Sequence, residues 1–486
     1  MRIRNRDMLT NHGNIAGRRV IADLLDTGLD ALDPYVRVKE LVRLEGRRII
    51  LDRRDFEMKE DPHAGPAVYD LKDYDRVFVI GAAKGVQRAA LAMEEVLGDA
   101  LTGGHVIDKR GEAVLCRRIG VTLGGHPVPD RSCLEGCEKI AAIAADITGR
   151  DLVFTITGSG CSSLMTYPAD GITIGEVAAF TRMMQIEKGV PTTDLNQIRT
   201  HIDKFKGGRI SRLFSPATLV HMTTADPAKM TTPVLRMTYA QLLRENLFFP
   251  TLSSASTYAD CIAVLKKWDV WEQTPESIRS HLLQGGPSDE NMTMEEYERL
   301  NARFFGLIFK DATVYPAVKR RAKALGYDCL MLSEYMLAEA REAGYVNAHM
   351  ALCAERMGEP FKPPVILMTS GEMVVTVGGK SGIGGRNQEY CTAAAIAISG
   401  SKRIVIGAVD TDGTDGPGGL QLPGAPECLA GAIVDGGTYA QAQKAGIDFW
   451  DALKTHGTSA PLWKLGCGVD AVSGVSALDL GLILIQ

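Results

Sequence analysis

No run of about 18 consecutive apolar residues occurs in the 486-residue chain, so the sequence offers no candidate membrane span. Basic charge is not in excess either. Lys and Arg number 54 against 59 Asp and Glu, a net charge of −5, which argues against an extended nucleic-acid surface. A local basic site for an acidic substrate stays open. Cys-x-x-Cys pairs are missing, and none of the ten cysteines joins a histidine at zinc spacing. The cysteines therefore read as reduced thiols of a cytoplasmic protein. The N-terminal MRIRNRDMLTNHGNIAGRR is charged and lacks the apolar core of a signal peptide.

Two nucleotide signatures are missing as well. The stretch TVGGKSGIGGRNQEY (376–390) contains Gly379-Lys380-Ser381, the ending of a phosphate-binding loop. The first glycine of that motif would have to stand at 374, where the chain has Val374, so the P-loop is excluded. After Ile80 the sequence runs Gly-Ala-Ala-Lys-Gly, and after Thr157 it runs Gly-Ser-Gly-Cys-Ser-Ser. Neither completes the Gly-x-Gly-x-x-Gly of a dinucleotide turn. Backbone N–H groups that cradle an anion remain open at both turns. A calcium loop starting at Asp410 would need glutamate where Gln421 stands.

What the chain does have is glycine: 51 residues, above the usual share of about 7%, in short clusters between strand-like runs. RVFVIGAAKG followed by VQRAALAMEEVLGD reads as strand, turn and amphipathic helix, the start of a parallel α/β sheet. The same alternation continues through DLVFTIT, VILMTSGEMVVTV (strand, turn, strand), RIVIGAVD and the closing SALDLGLILI. GGPSDENMT (285–293) is the polar break at which two domains divide, 1–290 and 291–486. The class is α/β with two lobes. Four loops stand beyond strand ends, where such sheets bind ligands: 81–85, 157–163, 369–372 and 409–416.

Several residues in these loops suit phosphoryl transfer. Lys84 lies at a strand-to-helix turn, where a cation can neutralise a transferring phosphoryl group; the bland alternative is a solvated loop lysine. Arg386 follows Gly384 and Gly385, and its fork matches phosphate or carboxylate; the alternative is a structural ion pair. Asp410, Asp412 and Asp415 follow an apolar strand and suit Mg2+ or a base for a hydroxyl proton, unless they are plain turn residues. Asn196, Arg199 and Lys206 read as a basic helix whose Arg199 and Lys206, seven apart, share a face toward either an anion or solvent. His126, in GGHPVPD, either orients a substrate or caps a strand end.

Taken in order, GAAKG, GGHPVPD (124–130), DLVFTITGSGCSSL (151–164), LNQIRTHIDKFKGGRI (195–210), SGEMVVTVGGKSGIGGRNQE (370–389) and DTDGTDGP (410–417) resemble the MOFRL-type, class II glycerate 2-kinases, once labelled hydroxypyruvate reductases. The resemblance covers residues 15–483. It implies a kinase that uses ATP and Mg2+ to phosphorylate the 2-hydroxyl of D-glycerate. It also implies an active site in the cleft between an N-terminal doubly wound, Rossmann-like parallel sheet and a smaller mixed-sheet C-terminal α/β domain. Its functional lysine and arginine fall on Lys84 and Arg386, which with Asp410 form the expected catalytic set. Asp412 and Asp415 are the expected metal ligands. The expected substrate and nucleotide contacts are Thr157, Gly158, Ser159, Gly160, Cys161, Ser162, His126, Asn196, Arg199, Lys206, Glu372, Asn387 and Glu389. The expected partners are a small hydroxy acid and ATP, with no nucleic acid and no membrane, and a homodimer is left open. The chain departs from the family in the 157–162 loop, in 221–256 and in 471–479. Two rival readings are a non-catalytic homologue that binds sugar acids and a hydroxypyruvate reductase.

Overall fold

The computed structural model describes all residues except 112, 228–236, 287–288, 310, 379–381, 473 and 476–477. The Gly379-Lys380-Ser381 tripeptide and parts of the departing loops 221–256 and 471–479 therefore lie outside the described residues. The chain divides into two compact units, Pro34–Phe309 and Met1–Asp33 with Lys310–Gln486. A small antiparallel sheet in the first unit comprises β1 (Val42–Glu45), β2 (Arg48–Leu51) and β3 (Ala67–Asp70).

The main sheet of the same unit has β4 (Arg76–Ala82), β5 (Gly103–Lys109), β6 (Gly120–Gly124), β7 (Asp151–Thr157), β8 (Thr218–Thr223) and β9 (Ala302–Gly306). Its order is β6-β5-β4-β7-β8-β9, with every neighbour parallel. Counted from its first strand this is 3-2-1-4-5-6, the doubly wound Rossmann-like order. β4, β7 and β8 are almost wholly buried, which is why RVFVIGA and DLVFTIT read as continuous apolar runs rather than alternating ones. Helix Val86–Leu97 follows β4, and helix Arg131–Ala144 buries Cys133, Cys137 and Ile140 against Ile80, Ile107 and Val153 of the sheet.

The other unit holds β10 (Asp328–Met336), β11 (Val365–Gly371), β12 (Ile404–Asp410), β13 (Gly431–Asp435), β14 (Gly468–Val469) and β15 (Asp479–Ile485). The order is β10-β11-β15-β12-β13-β14, with β10 and β11 parallel and the remaining pairs antiparallel. The run DLGLILI thus becomes a central strand, fully buried. MVVTV after β11 forms no second strand, contrary to the strand–turn–strand expectation. Both edges of β11 are already taken by β10 and β15, and Val374 makes only an isolated bridge with Glu339.

The partition also differs from a division at 290/291. Residues 302–306 supply the sixth parallel strand of the first unit, beside β8. Residues 1–33 join the C-terminal unit because helix Ile15–Asp30 lies on its sheet. A Cβ at Gly17 would stand 2.5 Å from Val405, and one at Gly28 would overlap Leu480, so the two glycines let helix and strands approach closely. Arg18, fully buried, fixes the docking: its Nε donates to Asp435 at 2.5 Å and its Nη1 to the Leu9 and Ile433 carbonyls.

Candidate functional site

Each unit presents a cluster of the expected residues. In the parallel sheet the strand order reverses at β4, between β5 and β7. Open α/β sheets bind ligands beyond the carboxyl ends of the strands at such a reversal. Ala82 and Thr157, the last residues of β4 and β7, are register partners, so the GAAKG and TGSGCSS loops leave the sheet side by side. Lys84 N–H donates to Ser159 O at 2.8 Å and ties the loops together. A side chain at Gly158 would overlap the Thr224 hydroxyl. Gly160 has φ +81°, and a Cβ there would lie 3.0 Å from Lys84 Cγ and 3.1 Å from His126 Cδ2. Lys84, His126 and the 157–162 loop are thereby gathered in one place.

The GAAKG turn is not an open anion cradle. Asp108, buried at the end of β5, accepts from Gly85 N–H at 2.8 Å and from Gln87 N–H at 3.3 Å. A protein carboxylate thus holds the donors that a phosphate would use. No local motif marks Asp108, because it acts through a parallel neighbour 23 residues away. Cys161 is buried, its Sγ faces the Phe248 carbonyl at 3.2 Å, and burial pushes its thiol up to about 11, so it stays protonated at neutral pH.

Arg199 and Lys206 do not share a helix face. The helix ends at Arg199, and Lys206 lies beyond it, just before Gly207 and Gly208, both at positive φ. Lys206 Nζ is buried and committed to Asp203 at 2.5 Å and to the Met165 carbonyl at 2.6 Å, a structural ion pair. Arg199 differs. It is buried, and its hydrogen bonds among the described residues go to neutral acceptors: Asn196 Oδ1 at 3.3 Å, and Ser162 Oγ and Gln185 Oε1 at 3.4 Å. Burial pulls its guanidinium down to about 10, still charged at neutral pH. The buried Asn196 Nδ2 beside it has no hydrogen-bond partner among the described residues.

The second cluster stands at one end of the mixed sheet. Gly371, Asp479 and Asp410 are register partners across β11, β15 and β12. Arg386 opens helix Arg386–Ala397 and reaches all three strand ends. Its Nε donates to Asp479 at 2.8 Å, its Nη2 to Asp410 at 2.8 Å and its Nη1 to Glu372 at 3.4 Å. Asp479 also accepts from Asn387 Nδ2 at 2.7 Å and from Met373 N–H at 3.1 Å. It is the functional-looking residue that sequence patterns missed. The one available signal was a lone acid at the head of an apolar run.

Asp415 is a helix cap. Its carboxylate accepts from Asn387 N–H at 3.1 Å and Gln388 N–H at 2.9 Å, while a Cβ on Gly385 would overlap Asp415 itself. Asp410 and Asp412 are joined instead, with Asp412 N–H donating to Asp410 Oδ1 at 3.0 Å. Burial first, then the charge of Asp412, drive the Asp410 carboxyl well above its ordinary range against the pull of Arg386. Burial raises Asp479 too, and burial followed by the Asp479 charge carries Asp415 to about 6. Glu372, Asp410 and Asp479 thus surround one guanidinium, and Asp412 is bonded to Asp410, so carboxylates outnumber the cation. Among the described residues, no group of three or more His, Cys, Asp or Glu side chains is arranged to hold a metal ion.

Glu389, one turn along the same helix, is buried and accepts from His456 Nδ1 at 2.8 Å. Its Oε2 has no partner among the described residues. Burial raises its carboxyl above the usual range, against the pull of His456. Arg386, Glu389 and His456 line one pocket of about 240 Å³.

Among the described residues no helix is long and apolar enough to cross a membrane. The family model described as "domain of unknown function (DUF4147)" matches residues 20–234, and that of the MOFRL family matches 365–473. A glycerate 2-kinase of Pyrococcus horikoshii is 30% identical over 454 residues, 92% of each chain. A D-glycerate 2-kinase of Thermotoga maritima is 29% identical, over 84% of this chain and 91% of that one. The crystal structure of a glycerate kinase from Thermotoga maritima superposes with a TM-score of 0.73 at 26% identity, covering 96% of this chain and 99% of that one. The chain belongs to the MOFRL-type, class II glycerate 2-kinase family.

Proposed function

We propose that this chain is an ATP- and Mg2+-dependent kinase that phosphorylates a hydroxyl of D-glycerate or a closely related small hydroxy acid. The observation that carries the reading is Arg386, held by Asp479 and Asp410 within a surplus of carboxylates. Phosphoryl transfer asks mainly for positioned positive charge, and a guanidinium bonded to two strand ends is positioned. Lys84, at the reversal point of the parallel sheet, is the second cation, and Arg199 suits the acid's carboxylate because its protein partners are neutral.

The residues fit a divalent cation. Asp410 and Asp412 are buried, adjacent and mutually repelling, and these two would hold it, whereas the oxygens of Asp415 are taken by the helix. Bound there, Mg2+ would neutralise phosphate charge. Asp410 also stands at the end of its strand beside Arg386, where a carboxylate can orient the substrate hydroxyl.

The Rossmann-like strand order does not by itself favour a hydroxypyruvate reductase. Asp108 takes the N–H groups that a dinucleotide pyrophosphate would need, which counts against the reductase reading. The test is ADP release by purified protein with ATP, Mg2+ and a panel of hydroxy and sugar acids, with 31P NMR of the product to locate the ester. No turnover with any acid would overturn the proposal. Binding of an acid without turnover would point to the non-catalytic homologue.

A further inference from the structure

The pocket beside Arg386 has a chemistry that a three-carbon acid does not use. Besides Arg386, Glu389 and His456, the residues that line it include the apolar Met373, Val375, Val377 and Pro417. A glycerate molecule has no apolar face to offer them, whereas a nucleobase does. The loops that shape the pocket are tied together: Gly382 N–H donates to Thr455 O at 2.6 Å and Ser459 N–H to Ile383 O at 3.0 Å. Between these ties stands His456, with φ +56°, a left-handed conformation uncommon outside glycine. Such conformations persist where the surroundings fix them and collect at ligand sites. Here it places the imidazole against Glu389.

Glu389 is 1% exposed. His456 takes one of its oxygens, and the other, Oε2, is a buried acceptor with no donor among the described residues, in a side chain that lines the pocket. Leaving such an acceptor unsatisfied is unfavourable, and a hydroxyl from a ligand would satisfy it.

We propose that this pocket holds the nucleoside of the phosphate donor, with its base between the apolar walls and a ribose hydroxyl donating to Glu389 Oε2. The proposal rests on the kinase reading for the presence of a nucleotide. It adds that the C-terminal unit selects ribonucleotides and that His456 is a positioning residue, holding Glu389 for that hydroxyl.

The test is isothermal titration of the full chain, in Mg2+ buffer, with ADP, 2′-deoxy-ADP and 3′-deoxy-ADP. Wild type should bind one deoxy analogue about tenfold to a hundredfold more weakly than ADP, the range expected for a hydrogen bond to a charged acceptor. Glu389→Gln should remove the difference. His456→Asn, whose side chain tolerates positive φ and can still donate to Glu389, should preserve it, with an unchanged melting midpoint as the folding control. Equal affinity of wild type for all three nucleotides would overturn the pocket assignment, leaving a water or nothing on Oε2. A deoxy discrimination that survives Glu389→Gln would overturn it too. If glycerate is turned over while either result holds, the pocket assignment fails and the kinase reading stands. If no nucleotide binds and no acid is turned over, both fall.

Discussion

Replacing Arg386 separates its role as counter-ion from its role in catalysis. Arg386→Met keeps most of the side-chain volume and removes the charge. Asp410 and Asp479, both nearly buried, then face each other on adjacent strands without a cation. Removing one partner of a buried ion pair destabilises by about 3–5 kcal/mol, because the remaining charge is uncompensated. For a unit of this size that corresponds to a drop of about 6–20 °C in melting midpoint.

The loss must depend on pH. Asp410 and Asp479 already have folded-state values raised above their ordinary ones, and losing Arg386 raises them further. Groups raised in this way add stability below their unfolded value of 3.8 and lose it as pH rises through the folded value. The variant should therefore melt far below wild type at pH 8 and much closer to it at pH 5. Arg386→Lys keeps the charge but not the fork, so it should retain most of the stability and lose turnover by about a hundredfold or more. Differential scanning fluorimetry at both pH values, with steady-state kinetics, reads all of this. Equal losses for Arg386→Met at pH 5 and pH 8, or a loss below about 1 kcal/mol, would refute the charge argument.

Three further outcomes follow from the same geometry. Lys84→Met should lower kcat/KM by about 10²–10³-fold with a melting midpoint within about 2 °C of wild type; a folding defect of the same size would mean a structural lysine. Saturating Mg2+ should raise the melting midpoint more at pH 8 than at pH 5, because burial and Asp412 raise the Asp410 carboxyl and a cation there competes with its proton; a shift independent of pH would count against cation binding at this cluster. Gly28→Val should destabilise by about 1–3 kcal/mol, since its Cβ would overlap Leu480, whereas Gly175→Ala, with nothing closer than 3.9 Å, should stabilise slightly; equal melting of the two would contradict the close helix–strand approach.

The strands and their burial were legible because parallel and central strands write themselves as unbroken apolar runs, as in β4, β7 and β15. The local settings of Lys84, at the turn after β4, and of Arg386, at a helix start beside two glycines, were legible too. Asp108, Asp479 and His456 were not. Each matters through a partner distant in sequence, and register pairing, not local pattern, brings Asp479 opposite Asp410. The same limit explains Lys206 and Asp415, whose charges look available in sequence and are engaged by Asp203 and by the helix N-terminus. The helix Ile15–Asp30 has an amphipathic pattern, but that pattern does not say which sheet its apolar face covers.

That helix sets a timetable for synthesis. Ile15–Asp30 is made early, yet the strands it lies on, β12, β13 and β15, follow only after residue 403. At about 5–20 residues per second, the ribosome needs on the order of half a minute or more to reach β15. Residues 34–309 can fold meanwhile as one contiguous unit, while the apolar face of the helix stays uncovered. Because β15 lies mid-sheet, neither the helix nor its neighbours can dock fully until Asp479–Ile485 has emerged.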